Sequence, residues 1–121
     1  MRLKNIFFIL MLWNFSLGAV GPNKIMLRVE LEVAGECIAD ELLLARGKEE
    51  VIRLGDIAAV CKFCGATEIA AVVSIVLYES RELLAKRSFG VHWGDSAIFA
   101  VKSQDSLGKR DIIVQFVADC E

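Results

Sequence analysis

The stretch Lys24-Ile25-Met26-Leu27-Arg28-Val29-Glu30-Leu31-Glu32-Val33 decides the fold. Ile25, Leu27, Val29, Leu31 and Val33 fill every odd position, and Lys24, Arg28, Glu30 and Glu32 stand between them. Successive side chains of a strand point to opposite faces, so a period of two puts the aliphatic set on a buried face and the charges in water. The far end of the chain repeats the pattern. There Ile112, Val114, Phe116 and Ala118 alternate with Ile113, Gln115 and Val117, which predicts a strand running to the C-terminus. The domain therefore begins and ends on strands.

Between them, residues 48–54, 69–78, 83–91 and 97–102 read as further strands. Gly55-Asp56, Glu79-Ser80-Arg81, Gly94-Asp95-Ser96 and residues 104–109 separate them with turn chemistry. Residues 40–46 are ambiguous. Asp40 is a good helix cap, Gly47 a helix stop, and Leu42, Leu43, Leu44 and Ala45 favour a helix. Such a helix would have under two turns, and the flanking strands favour an extended partner, so a strand is expected here too. Seven short strands with turns between them predict an all-β protein, a small antiparallel sandwich.

The chain opens with Arg2 and Lys4 ahead of an apolar block from Ile6 to Leu17, followed by the small residues Gly18 and Ala19. That is the layout of a secretory signal peptide. As a membrane anchor the block is short, since a spanning helix needs about 20 apolar residues, whereas Asn14 and Ser16 interrupt this one and Gly18, Gly21 and Pro22 close it. Residues 1–19 are read as the signal peptide, and residues 20–121 as one domain with its own core. The expected location is secreted or periplasmic, with no membrane attachment once the leader is cleaved.

Removing Arg2 and Lys4 leaves 12 basic against 16 acidic residues, a net charge of −4. A mildly acidic chain has no long-range attraction for phosphate backbones, so nucleic acid is not an expected partner. Catalytic signatures are equally absent. His92 is the only histidine, and the chain contains no Gly-x-Ser-x-Gly elbow and no phosphate-cradling glycine loop. Glu30 and Glu32, two apart on a strand, share a solvent face, where their ordinary role is solubility. No cofactor and no metal is expected.

Four cysteines, Cys37, Cys61, Cys64 and Cys120, remain in the exported chain, and an even count in an oxidising compartment predicts two disulfides. Strand phase favours pairing Cys37 with Cys120, which would tie the terminal strands, and Cys61 with Cys64 at a turn. The Cys61-Lys62-Phe63-Cys64-Gly65 run also admits two chemical readings. One is a thiol–disulfide exchange pair, which needs a helix after the first cysteine, and the β-branched stretch Val72-Val73-Ser74-Ile75-Val76 argues against that helix. The other is half of a zinc site whose second half is missing.

The stretch Phe89-Gly90-Val91-His92-Trp93-Gly94-Asp95 sets aromatics among glycines. On a loop, Phe89, His92 and Trp93 would form an interaction surface, because aromatics anchor interfaces. The alternative is a core tryptophan capping the end of the sandwich. The layout as a whole resembles the small immunoglobulin-like sandwiches that bacteria export as accessory factors, chaperones or inhibitors. That resemblance of architecture implies binding to another exported protein as the function, with a small thiol–disulfide redox factor using Cys61 and Cys64 as the competing expectation.

Overall fold

The computed structural model describes residues 23–105 and 108–120, and the expected leader falls outside them. Eight strands follow one another: β1 (Lys24–Val33), β2 (Glu36–Ala45), β3 (Glu49–Leu54), β4 (Ile57–Ala66), β5 (Ala70–Glu79), β6 (Glu82–His92), β7 (Ser96–Asp105) and β8 (Gly108–Cys120). They form two four-stranded antiparallel sheets, β2-β1-β8-β7 (sheet A) and β3-β4-β5-β6 (sheet B), with no helix among the described residues. The inward faces of the two sheets enclose one hydrophobic core, largely aliphatic with Phe63, Phe99 and Phe116 among its members.

The alternation of β1 is realised as predicted. Ile25, Leu27, Val29, Leu31 and Val33 are buried, and so are Ile112, Val114, Phe116 and Ala118 of β8. β1 and β8 pair directly, with Leu31 opposite Val114 and Leu27 opposite Ala118, so the first and last described strands form the centre of sheet A. The ambiguous segment at residues 40–46 is the second half of β2, where Leu42 and Leu44 face the core.

Two expectations are corrected. The strands number eight rather than seven, because residues 57–66, read as a cysteine-bearing turn, form β4. Its inward residues Ile57, Ala59, Cys61 and Phe63 are fully buried, but Ala58 and Val60 put apolar side chains on the outward phase and blur the alternation. Nor is the connectivity immunoglobulin-like. That fold closes with Greek-key crossovers, whereas here each strand pairs with its successor or passes to the facing sheet through a short link, in an up-and-down path that ends with β8 returning to β1.

The two links between sheets run from β2 to β3 and from β6 to β7. Gly47 donates its N–H to the Phe63 carbonyl (2.8 Å), and Gly94 donates to the Ala118 carbonyl (3.0 Å). Both glycines have φ near +80°, at +80° and +84°, where a side chain would be strained. At the opposite end, Arg110 of β8 spans the sheets. Its Nη1 and Nη2 donate to the Asp56 carboxylate at 3.1 Å each, and Nη2 also donates to Glu79 Oε2. Buried Ser103 donates its hydroxyl to the same Glu79 oxygen (2.6 Å). The Arg110 guanidinium holds the Asp56 carboxyl below its ordinary value.

Candidate interaction surface

The cysteines do not form the expected bridges; all four are free thiols. Cys61 and Cys64 lie in the extended β4, where three residues span about 10 Å, beyond the ~4.4–6.8 Å between Cα atoms that a disulfide accepts. Cys61 points into the core. Cys64 is exposed and is the extra residue of a bulge, as the register passes from Phe63 opposite Val73 to Gly65 opposite Val72. Cys37 and Cys120 flank β1 on opposite sides, one opposite Glu32 and the other opposite Ile25. Seven residues of strand separate those positions, about 23 Å.

Burial also removes Cys61 from thiol chemistry, pushing its thiol up to about 12. No helix among the described residues follows it to lower that value. No group of three or more histidine, cysteine, aspartate or glutamate side chains is placed to hold a metal ion among the described residues.

The aromatic stretch is not a loop. Phe89 and Gly90 belong to β6, opposite Val73 and Val72. Phe89 is half-buried and meets Phe99 and Phe116 edge-on, at centroid distances of 5.7 and 5.3 Å. Trp93 packs against the core, and its Nε1–H donates to the Glu68 carbonyl (2.9 Å), pinning the β6–β7 link to the β4–β5 turn. Of the three residues expected to make contacts with a partner, only His92 is exposed, with Nδ1 4.0 Å from Asp95 Oδ2. Phe89 and Trp93 are half-buried and make their contacts within the domain.

The surface that stands out is the outward face of sheet B. The register aligns Val51, Val60 and Val76 in one row across β3, β4 and β5, ending at Lys86 of β6. The next row holds Arg53, Ala58, Tyr78 and Leu83. Val51 is 43% exposed and Leu83 63%. A depression of about 460 Å³ lies among Val51, Arg53, Ala58, Val60, Tyr78 and Arg81. Sheet A differs: its equivalent rows are Glu41, Arg28, Val117, Ser96 and Ala39, Glu30, Gln115, Ile98, closer to the polar outer face usual for a sheet with one side in water.

The signal for this surface was in the sequence. Ile57-Ala58-Ala59-Val60 and Ala70-Ala71-Val72-Val73 are apolar on both strand phases, the pattern of strands covered on both faces. Among the described residues, the surrounding cations Arg53, Lys62, Arg81 and Lys86 have no carboxylate within ion-pair distance. The chain matches no protein family, no curated protein and no solved structure.

Proposed function

We propose that this domain acts outside the cytoplasm, secreted or periplasmic, by binding another exported protein through the outward face of sheet B, as an accessory factor, chaperone or inhibitor does. The observation that carries this reading is the apolar outer phase of β4 and β5, where Val60, Val72, Val76 and Tyr78 accompany exposed Val51 and Leu83. Contiguous apolar surface rimmed by charge marks an interaction site. The basic rim fits the composition of an interface, in which arginine and aromatic residues are enriched. Residues 1–19 supply the export signal on which the location rests.

The test places a photo-crosslinking side chain at Val60 or Leu83, with exposed Glu68 in the β4–β5 turn, off both sheet faces, as the control, in the chain produced with its own leader. Adducts to a polypeptide from the two sheet B positions and none from Glu68 are expected. Absence of adducts from sheet B, or adducts of equal yield from Glu68, overturns the reading.

A further inference from the structure

Among the described residues, the exposed charges outside ion pairs are balanced differently on the two outer faces. On sheet B, Arg53, Arg81 and Lys86 are exposed and outside the ion pairs among the described residues, Lys62 stands opposite the outward Glu49, and Glu50 and Glu82 are exposed acids on the two edge strands, so cations are in excess on this face. On the β1–β2 half of sheet A the sign is reversed. Glu30, Glu32 and Glu41 point outward, Glu36 and Asp40 are exposed on the edge strand β2, and against these five acids stand Lys24 at the start of β1 and Arg28, which is already engaged by Asp119 at 2.7 Å. The negative field is felt locally: the thiol of Cys37, hydrogen-bonded to Glu30 and beside Glu32, is pushed above its ordinary value.

Each face also has a depression and an apolar projection. The acidic face has a hollow of about 690 Å³ walled by Glu30, Asp40, Glu41, Gln115 and the Asp119-paired Arg28, and beside it Leu43 projects at 48% exposure, two residues from Glu41 on the same phase of β2. The basic face has the Ala58-floored hollow with Arg53 and Arg81 at its rim beside Asp56, whose carboxylate is paired with Arg110, and Leu83 projects next to it.

We propose that the protein bound by sheet B is a second copy of this chain, presenting its acidic β1–β2 face. This deepens the binding reading above and rests on it. Leu43 of one copy enters the Ala58 hollow of the next, Glu41 and Glu30 meet Arg53 and Arg81, and Lys86 reaches the acidic hollow. Because the two surfaces differ, the contact is heterologous and leaves one free face of each kind, so association continues beyond a dimer. Its charge component weakens as salt screens the faces.

Sedimentation velocity of the purified protein over a concentration series at low salt tests this. The weight-average mass is expected to rise past that of a dimer and to fall toward the monomer when salt is added. Arg53→Glu/Lys86→Glu and Glu30→Lys/Glu41→Lys, all at exposed positions and checked for folding by thermal melting, should each lose association alone. An equimolar mixture should regain it, because each double variant keeps one native face and the two reversed faces are complementary to each other. A wild type that stays monomeric, a plateau at the dimer, or association unchanged in either double variant overturns the proposal. Crosslinked adducts from Leu83 whose added mass differs from this chain's own would refute the second copy while leaving the binding reading intact. No adducts at all would remove both.

Discussion

Arg110→Met is the most informative single perturbation of the fold, because one side chain joins the two sheets at the end opposite Trp93. The variant keeps a long apolar stem and removes, among the guanidinium's contacts, the hydrogen bonds donated to Asp56 and Glu79. Asp56 is 43% exposed and regains water, so its share is that of a surface pair, about 0–1 kcal/mol. Glu79 is only 20% exposed and keeps the Ser103 hydroxyl as its remaining partner. A stranded charge there lies between a surface pair and a fully buried one, whose loss costs about 3–5 kcal/mol. The expected total is about 2–3 kcal/mol in urea denaturation at neutral pH. Glu79→Gln combined with Arg110→Met should cost less than the sum of the two single changes, since the charge left unpaired is then absent.

The pH profile supplies a separate check. The Asp56 carboxyl is held below its ordinary value of 3.8, so between the folded and unfolded values the unfolded chain binds more protons. The stability this contributes is present above the unfolded value and is lost as pH falls through the folded one. Arg110→Met should flatten that acid limb. A loss under about 0.5 kcal/mol, the range of an ordinary surface substitution, or an unchanged acid limb, would refute the account.

In the reduced native protein, Cys37, Cys64 and Cys120 should react with a thiol reagent at neutral pH while Cys61 stays silent until denaturant is added, Cys37 being slowed by Glu30 and Glu32; rapid modification of Cys61 would contradict its burial. Leu31→Ala, at a fully buried site, should cost about 2–5 kcal/mol. Glu30→Ala on the opposite phase should cost little. The reverse order of denaturant midpoints would mean that the register of β1 is displaced by one residue.

What could be read in advance followed the contrast between the two phases of each strand. β1 carries Lys24, Arg28, Glu30 and Glu32 opposite its aliphatic residues, so its type and its inward face were legible; β8, with Ile113 and Val117 on its outer phase, shows the contrast only at Asp111, Gln115 and Asp119. β4 lacks that contrast. Ala58 and Val60 make its outer phase apolar as well, and the two cysteines invite a turn that the backbone does not make. The aromatic stretch failed for a related reason. Gly90 looks like a loop residue, yet it sits in the β5–β6 ladder opposite Val72, and Phe89 is held inside by Phe99 and Phe116 from the other sheet.

The sequence by itself determined the all-β class, the inward faces of the terminal strands, and the turns at Gly55-Asp56 and Ser80-Arg81, because these depend on side-chain period and on backbone preference over a few residues. Tertiary structure alone decided that β1 lies beside β8, that Cys37 and Cys120 are held on opposite sides of β1, and that cations are in excess on the outer face of sheet B while acids are in excess on the β1–β2 half of sheet A. Those outcomes depend on pairings between residues as far apart as Ile25 and Cys120. No local pattern encodes them, because strand order is chosen by burying every apolar face at once.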